Sequence, residues 1–520
     1  MIIVSEKHRK LLVPAEGAVN QVWQDQAPSV DWKGKKHLVV PHSPAYVLAL
    51  RNMGIKAPGI IDYHYDWPGA ELPFHAQKAT ADMLSLHRRA YVLSDIGVGK
   101  TRSALFAADF LMQLGIINKC LVVAPLSTVT SVWEKEILRV MPHRDAVSLF
   151  HPTKKGRLKR LEMPTDFYVI NHHGTKVIQD ELMRRKDIDC IIIDELATFR
   201  NPSTNLWKSL KAVVDRKATK YAWGMTGSPI PNGPEDAYGQ SKLLTPERVP
   251  KSKRAWQSLT MNKISQFIYV PKKDALDRVY EAMRPSVRFT RDECLDLPEK
   301  MVSQLDITLA PRQQKIYDEL VNNYKARMAE GDVSAANEGV LINKLLQVSS
   351  GFVYTNNKGE VDLHNKDRLQ VLESIIRTAS QKVIVYAPFV FAVNMLSTEV
   401  SKYAKIGVVH GSVPKKQRDD IFNQFQNGKE MKVLVAHPAC MAHGLTLTSS
   451  NVIVWYSPLQ HSEIYEQANG RITRAGQVNK QFIIHLCGTA AERRAFARLR
   501  RKQKMQGMLL DMFNGVAIDE

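Results

Sequence analysis

Long apolar runs are missing from this 520-residue sequence. No stretch approaches the roughly 18 consecutive apolar residues of a membrane-spanning helix, and the opening MIIVSEKHRKLLVPAEG becomes charged too early for a secretory signal peptide. Cysteine is also scarce, since the five cysteines form no CxxC pair and most of them lie in apolar runs such as KCLVVAP. We therefore expect reduced thiols inside a cytoplasmic protein that has no membrane partner.

Acidic residues are too few to balance the basic ones. Lysine and arginine number 72 against 52 aspartates and glutamates, which leaves a formal net charge of +20. Such an excess attracts partners of dense negative charge, nucleic acid above all. A solvated basic surface without a nucleic-acid partner is the alternative that charge alone leaves open.

Internal repeats and long low-complexity tracts are absent, and the chain alternates instead between short β-branched runs and helical patterns. This alternation occurs in two series and is typical of parallel sheets covered on both faces by helices. We therefore predict an α/β fold with two parallel-sheet lobes. The runs are CLVVAP (120–125), FYVIN (167–171), CIIIDE (190–195) and YAWGMTG (221–227), then KVIVYAPF (382–389), KIGVVHG (405–411), KVLVAHP (432–438), NVIVWYSP (451–458) and FIIHLCG (482–488).

The remaining stretches divide the chain further. PRQQKIYDELVNNYKARMAEG predicts one long amphipathic helix that ends at Gly331, and the tail from Ala490 predicts a basic helix. The expected regions are an N-terminal accessory region at 1–68, a first lobe at 69–245, a helical linker or insert at 246–365, a second lobe at 366–490 and a basic C-terminal helix at 491–520.

A candidate phosphate-binding loop lies in SDIGVGKT, between a predicted strand AYVL and a helical pattern. Backbone N–H groups of such a loop cradle phosphates, and the following helix adds the positive end of its dipole. Lys100 would reach the outer phosphates and the Thr101 hydroxyl would bind Mg²⁺. The strict pattern has glycine where this chain has Ser94, and an ordinary strand–turn–helix with a surface lysine is the alternative. The nucleotide-binding candidates in the loop are Asp95, Ile96, Gly97, Val98, Gly99, Lys100, Thr101 and Arg102.

Two carboxylates end the apolar run CIIIDE. Asp194 would hold Mg²⁺ and Glu195 would orient or activate the attacking water. A strand that simply ends in acidic residues is common, so this interpretation depends on its pairing with the upstream loop. Farther on, Arg471 and Arg474 lie three residues apart in QANGRITRAGQ. Spacing alone leaves open whether they are solvated or stabilise a γ-phosphate as arginine fingers.

The order of the motifs resembles that of superfamily-two helicase-type ATPases, and most of all the Swi/Snf-type DNA translocases, including helicases encoded by tailed bacteriophages. The resemblance covers about 70–500 and is carried by the ordered set, which is far more specific than any single motif. The motifs are PFHAQK, SDIGVGKT, LVVAPLSTVTSVWEKEI, DELATFRN, MTGSPIPN, KVIVYAPF, VVHGS, HGLTLT and QANGRITRAGQ.

This resemblance implies two RecA-like lobes with an ATP cleft between them, so that 69–245 is the helicase ATP-binding lobe and 366–490 the helicase C-terminal lobe. It implies ATP and Mg²⁺ as cofactors and DNA as partner, whether forked, junction or duplex. It also implies that Gln77 reads adenine, that Gln467 belongs to the nucleotide site and that Arg471 and Arg474 are arginine fingers. The implied contacts to DNA phosphates are Ser127, Ser228, Ser412 and Thr446.

The sequence departs from the family at two motifs. Ala197 stands where these proteins usually carry a histidine that links the ATP site to the MTGSPIPN motif, so the coupling route differs here. In the HGLTLT motif, Met441-Ala442-His443 replaces the run of glycines that these proteins carry before Gly444-Leu445. The large insertions and histone-reading modules of chromatin remodellers are missing, which argues against a nucleosome substrate.

Three basic stretches and one aromatic stretch are ambiguous. KKGRLKR (154–160), KSKR (251–254) and the tail from Arg493 to Lys504 can each grip phosphates or face solvent. The aromatic-rich YHYDWPG (63–69) either stacks on a base or, as we favour, packs the N-terminal region against the first lobe.

We therefore expect an ATP-hydrolysing, sequence-independent DNA translocase or helicase that remodels or unwinds branched or forked DNA in replication, recombination or repair. Monomeric action, replication or recombination proteins as partners, and the cytoplasm of a bacterial host belong to the same expectation. The alternatives are a duplex translocase that displaces proteins without unwinding, an RNA helicase, and a DNA-binding protein without catalysis.

Overall fold

The computed structural model describes residues 1–126, 128–265, 269–294, 298–329, 335–354, 360–363, 365–441, 445–474 and 476–513. Ser127, Gly331 and the pair Ala442-His443 lie outside the described residues. The chain folds into two compact units. Unit one comprises Met1–Asn262, Val270–Leu295 and Gln506–Glu520, and unit two comprises Lys263–Tyr269 and Asp296–Met505.

The N-terminal region of unit one is a small α/β element with its own core. Its antiparallel sheet has the spatial order Ile3–Ser5, Lys10–Pro14, Lys35–Pro41, Ser29–Trp32, and its helices are Gly17–Trp23, Pro44–Asn52 and Ile60–His64. Alternate strand residues point to one face, and Leu11, Val13, Leu38 and Val40 bury that face against the helices.

The aromatic stretch that ends this region packs against the rest of unit one, as we favoured. The Tyr65 hydroxyl donates to Asp109 Oδ2 at 2.7 Å, and the ring of Trp67 lies edge-on to Phe106 with centroids 5.3 Å apart. Arg144 Nε also donates to Asp109, at 2.6 Å. A buried carboxylate on the helix Lys100–Gln113 thus fixes the N-terminal region in place.

The principal sheet of unit one has seven strands, all parallel. In spatial order these are Ser286–Val287, Arg89–Val92, Tyr221–Met225, Ile188–Asp194, Lys119–Ala124, Phe167–Asn171 and Ala146–Ser148. Strands covered on both faces need continuous apolar runs, and Cys190 to Ile193 are accordingly fully buried. The helices are His75–Leu86, Lys100–Gln113, Lys135–Val140, Lys154–Leu161, His172–Val177, Gln179–Arg184, Asn205–Val214, Ala237–Leu244, Lys253–Thr260, Ala275–Ala282 and Arg291–Cys294.

Unit two contains a parallel sheet of six strands. In spatial order they are Lys300–Asp306, Gln481–Cys487, Ser450–Trp455, Lys382–Tyr386, Val433–Ala436 and Ile406–Val409. The two parallel sheets confirm the predicted fold class. The helices are Pro311–Ala329, Ala335–Ser349, Lys366–Thr378, Val390–Val400, Lys415–Asn427, Ser462–Asn469 and Ala490–Asp511, of which the last belongs to unit two only as far as Met505.

The stretch 246–365 contributes to both units. Residues 246–262 and 270–294 belong to unit one, whereas Lys263–Tyr269, Lys300–Asp306 and the helix Pro311–Ala329 belong to unit two. Two short two-stranded sheets are also described, Met261–Lys263 with Tyr269–Pro271 and the antiparallel pair Phe352–Tyr354 with Glu360–Asp362. The region boundaries expected from the sequence stay a prediction. No helix in the described ranges is both long and apolar enough to span a bilayer.

A buried ion pair holds the last helix of unit two to its sheet. Arg368 and Glu492 are both fully buried and lie 2.8 Å apart. The Glu492 carboxylate also accepts from the backbone N–H of Gly488 and Thr489, so it caps the start of Ala490–Asp511. Arg368 in turn donates to the carbonyl of Tyr456 at 2.6 Å.

Replacing Glu492→Ala should destabilise unit two by about 3–5 kcal/mol, because it leaves the Arg368 guanidinium buried without its counter-charge. The loss in the free energy of unfolding is measured by urea titration, with hydrogen exchange of the strand Gln481–Cys487 as the readout. Glu430→Ala is the matched control, because Glu430 forms an exposed pair with Lys405 and exposed pairs contribute little. Equal shifts for the two variants would contradict the role of the buried pair.

Candidate functional site

The loop between Arg89–Val92 and Lys100–Gln113 has the backbone of a phosphate cradle. Gly97 and Gly99 adopt φ of 94° and 86°, which only glycine reaches without strain. The loop opens directly into a 14-residue helix, so its N–H groups and the helix dipole face the same point. Val98 is buried and anchors the loop, and Thr101 lies in the first turn of the helix.

The Lys100 ammonium lies over this loop. Its Nζ donates to the carbonyls of Ser94 at 2.8 Å and Asp95 at 3.0 Å. Burial lowers the pKa of Lys100, and the carboxylates of Glu195, Asp194 and Asp95 oppose that shift. The lysine is therefore within electrostatic reach of both acids that the sequence had paired with it.

Register brings those acids to the same sheet edge. Met225 is the direct partner of Val92 on one side and of Asp194 on the other, so one strand separates the loop from the acids. Glu195 follows with φ of 50°, a left-handed conformation that is strained for a glutamate. Its backbone N–H donates to Asp194 Oδ1 at 3.0 Å, which fixes the turn.

Two further side chains contact Asp194 through hydrogen bonds. The sequence did not predict either of them at the site. The indole of the buried Trp133 donates Nε1–H to Asp194 Oδ2 at 3.0 Å. His172 Nε2 lies 2.9 Å from the Asp194 carbonyl, and its ring is edge-on to Phe199. A signal for His172 existed, because it directly follows the strand Phe167–Asn171 at the same edge.

The adenine candidate and the loop arginine are both engaged with neighbours in unit one. Gln77 is buried, its Oε1 accepts from the N–H of Phe74 at 3.2 Å, and its amide lies against Gly99. Arg102 pairs with Glu71 and Glu136, so its guanidinium is held by carboxylates. Their roles toward a nucleotide stay predictions.

The motif MTGSPIPN lies on the neighbouring strand end. The N–H of Thr226 donates to the Val92 carbonyl at 3.0 Å, and the N–H of Ser228 donates to Thr226 Oγ1 at 3.1 Å. Ser228 is only 6% exposed, and its hydroxyl accepts from Gln506 Nε2 at 3.2 Å. The predicted contact of Ser228 with DNA stays a prediction.

In unit two the predicted arginines lie in the turn after the helix Ser462–Asn469, so they do not share a helical face. Arg471 is 1% exposed and donates to the Leu445 carbonyl at 3.4 Å. Arg474 is half-buried, and its Nη1 lies 3.5 Å from the Thr446 hydroxyl. Gln467 is half-buried on the helix, whereas Thr446 and Ser412 are exposed.

The basic stretches differ in how many charges face solvent. In 154–160, Arg157 donates to Asn171 Oδ1 at 3.0 Å and Arg160 donates to the Ser148 carbonyl at 2.9 Å, so both serve the fold. The helix Ala490–Asp511 instead exposes a row of cations, one of which, Arg493, pairs with Asp306. The exposed residues are Arg493, Arg494, Arg498, Arg500, Arg501 and Lys504.

The residues at the edge of the unit-one sheet fit ATP and Mg²⁺. A left-handed glycine cradle at a helix N-terminus suits a polyphosphate. Magnesium binds through one or two protein oxygens and completes its shell with phosphate and water, so the Thr101 hydroxyl and the Asp194 carboxylate are a sufficient donor set. No group of three or more metal-binding side chains occurs in the described part of the chain, and such a site does not require one.

Comparisons with known proteins give consistent matches. The profile of the SNF2-related domain matches residues 75–356, and that of the helicase conserved C-terminal domain matches residues 367–476. Protein p41 of Acyrthosiphon pisum secondary endosymbiont phage 1 is 25% identical over 455 residues, which cover 82% of this chain and 95% of that protein. An ATP-dependent helicase of Mycoplasma genitalium is 23% identical over 395 residues, which cover 74% of this chain and 37% of that helicase.

Among solved structures, the Sulfolobus solfataricus SWI2/SNF2 ATPase core in complex with dsDNA is similar to 87% of this chain. The similarity covers 98% of that chain, with 20% sequence identity and a TM-score of 0.40.

The contact between Gly99 and Gln77 leads to a prediction. A Cβ at position 99 would overlap the Gln77 amide, in addition to the strain of a left-handed alanine. Gly99→Ala should therefore weaken ATP binding at least about tenfold, or about 1.4 kcal/mol, as measured with a fluorescent ATP analogue. Gly115→Ala is the control, because Gly115 has φ of 67° with nothing near its Cβ. Similar nucleotide affinities for the two variants would contradict the packing of Gln77 on the loop.

Proposed function

The chain belongs to the SNF2-related family and is an ATP-hydrolysing enzyme of the helicase type, and we propose that it translocates on DNA and remodels branched or forked DNA largely independently of sequence. One observation carries this proposal. The sheet edge of unit one gathers a lysine over a glycine cradle and two strand-end carboxylates within electrostatic reach of it. That set of groups supplies what phosphoryl transfer to water needs.

We assign the roles as follows. Lys100 binds the outer phosphates, and Glu195 orients the attacking water. Thr101 and Asp194 would hold Mg²⁺, which would supply positive charge against the polyphosphate. Gln77 reads the adenine and Gln467 contributes to the nucleotide site. Arg471 and Arg474 stabilise the charge that develops on the γ-phosphate in the transition state.

The DNA is held mainly through its phosphates. Ser127, Ser228, Ser412 and Thr446 are the contacts proposed from the resemblance, and the exposed cations of the helix Ala490–Asp511 add a basic surface. Phosphate contacts position a duplex without reading its sequence. We also propose that the protein acts as a monomer in the cytoplasm of a bacterial host, with replication or recombination proteins as partners.

The N-terminal region supports a preference for branched DNA. Trp23 and Tyr65 are buried, which removes them from contact with a base, but Trp32 is 44% exposed. Trp32 and Lys35 are register partners and project from the same sheet face, the one opposite the buried Leu38. An exposed indole next to a cation is suited to an unpaired base and its phosphate.

Lys100→Ala should lower ATP hydrolysis by at least about 10²-fold, because it removes a charge that stabilises the transferring phosphate, while nucleotide-free DNA binding persists. A phosphate-release assay and a DNA-binding titration measure the two quantities. Lys208→Ala, an exposed lysine on the helix Asn205–Val214, serves as control and should keep both. Near-normal hydrolysis in the Lys100 variant would mean that the ATP site lies elsewhere.

Trp32→Ala should lower the preference for forked over linear DNA about tenfold, since stacking contributes about 1–3 kcal/mol per base. Competition binding of the two DNAs to the full chain measures the ratio. Val30→Ala, two residues away on the same face and 40% exposed, should leave it unchanged. If the Trp32 variant keeps its fork preference, or if the wild-type chain has none, this region does not select junctions.

A further inference from the structure

A distant segment lies along the phosphate loop of unit one. The strand Ser286–Val287 pairs in parallel with Arg89–Val92, and the pairing continues beyond both strands. The N–H of Leu93 donates to the Val287 carbonyl at 2.9 Å, and the N–H of Asp95 donates to the Phe289 carbonyl at 3.1 Å. The loop is therefore built on a segment that lies about 190 residues farther along the chain.

The side chain of Asp95 takes part in the same contact. Arg288 Nη1 donates to Asp95 Oδ1 at 2.9 Å, and the N–H of Arg291 donates to Asp95 Oδ2 at 3.1 Å. Arg288, only 7% exposed, also donates to the Leu93 carbonyl at 3.2 Å. Both oxygens of the carboxylate are thus held by a neighbouring segment of the protein.

The side chain of Arg291 contacts the next residue of the loop, Ile96. Its Nε donates to the Ile96 carbonyl at 3.1 Å, which fixes the peptide immediately before Gly97. Arg291 therefore adds positive potential to the cradle.

Ser94, the departure from the strict glycine pattern, belongs to this arrangement. Its Oγ accepts from the N–H of Phe289 at 3.0 Å, while its carbonyl accepts from Lys100 Nζ at 2.8 Å. A glycine here would lack the hydroxyl, so one hydrogen bond between the loop and Phe289 would be missing. This departure thus strengthens the attachment of the loop.

An unpaired carboxylate at position 95 would be harmful. Burial raises the pKa of Asp95, but the Arg288 guanidinium and the backbone N–H of Arg291 outweigh it, so the net shift is downward and the group is ionised. A carboxylate in the loop repels the polyphosphate unless a cation is held against it. The Arg288 guanidinium supplies that cation and fixes its geometry.

We propose that Arg288 and Arg291 are positioning residues of the phosphate loop, and that Asp95 is the anchor they hold and not a ligand of the nucleotide. They set the loop backbone for ATP binding and cancel the repulsion between Asp95 and the phosphates. This inference rests on the proposed ATP site. It extends that site to the segment 285–291. This segment lies near the end of Val270–Leu295, the second part of unit one.

The test is a double-mutant cycle on the full chain with Asp95→Asn and Arg288→Met, read as KM for ATP, kcat and the affinity for a fluorescent ATP analogue. Asp95→Asn alone should change each value by less than about threefold, because the amide oxygen still accepts a hydrogen bond from Arg288. The Arg288 guanidinium that loses its counter-charge attracts the polyphosphate and does not repel it. Arg288→Met alone should raise KM and weaken binding of the analogue at least about tenfold, with kcat within about threefold. The substitution leaves the half-buried Asp95 carboxylate without the Arg288 counter-charge, so that this carboxylate repels the polyphosphate.

In the double variant, KM, kcat and the affinity for the analogue should each lie within about threefold of the values of Asp95→Asn, because the repelling charge is gone. Such non-additivity is the signature of a coupled pair. Arg288→Lys should recover most of the affinity, because it restores the charge. Arg278→Met is the matched control and should change nothing, since Arg278 forms an exposed pair with Asp274.

Two results would overturn the inference. One is a loss in kcat of about 10²-fold or more in Asp95→Asn alone, which is expected of a ligand in the transition state. The other is multiplicative losses in the double variant. Should Arg288→Met fail to fold, as thermal unfolding would show, Asp95→Asn and Arg288→Lys still decide the question. If the Lys100→Ala variant still hydrolyses ATP, the assignment of the ATP site is wrong. If Lys100→Ala is inactive and Asp95→Asn alone loses most of its kcat, only the positioning role of Arg288 and Arg291 is refuted.

Discussion

Strand register in unit one is the constraint on which the proposed chemistry depends. Tyr221–Met225 pairs with the loop strand on one side and with the acidic strand on the other, and Met225 is level with both Val92 and Asp194. Parallel strands end at the same edge, so the loop and the carboxylates arrive there together. A shift of one residue in either pairing would invert the faces of the strand and separate Lys100 from its acids.

Strained backbone at this edge is held by contacts from distant parts of the chain. Glu195 keeps a left-handed φ of 50°, while Trp133 and His172 fix the preceding Asp194 by its carboxylate and its carbonyl. The loop with its two left-handed glycines is held in the same way by the segment 285–291. Such strain persists where the surroundings over-determine the conformation, which agrees with a site organised before its substrate arrives.

Local pattern was enough to predict the strands, the loop and the acids. Apolar runs and glycine spacing report on neighbours in sequence, and the fold places those elements as expected. What the sequence could not reveal are contacts between residues far apart in the chain, such as Trp133 with Asp194 and Ser228 with Gln506. No periodicity encodes which buried partner a polar group will find. The burial of Arg471 and its place in a turn also depend on tertiary packing.

The N-terminal region illustrates the same limit. Its aromatic residues were equivalent in sequence, yet the fold buries Trp23 and Tyr65 and leaves Trp32 exposed. Composition identified a region rich in aromatic residues, and only the fold showed that the rings of Trp32 and Tyr63 are exposed. The basic stretches also differ in a way that only the fold shows. Arg157 and Arg160 donate hydrogen bonds to other residues of unit one, whereas the helix Ala490–Asp511 exposes its cations.

We expect DNA to drive ATP hydrolysis at the edge of the unit-one sheet. The most direct measurement is the ATPase rate of the full chain with forked, four-way, linear duplex and single-stranded DNA, and with RNA, at one salt concentration. We expect strong stimulation by DNA, greatest with forked or four-way DNA, and conversion of those substrates during hydrolysis. If linear duplex stimulates the ATPase rate equally and branched DNA is not converted, the protein translocates on duplex DNA without remodelling it. Stimulation by RNA alone, or by no nucleic acid, would contradict the account.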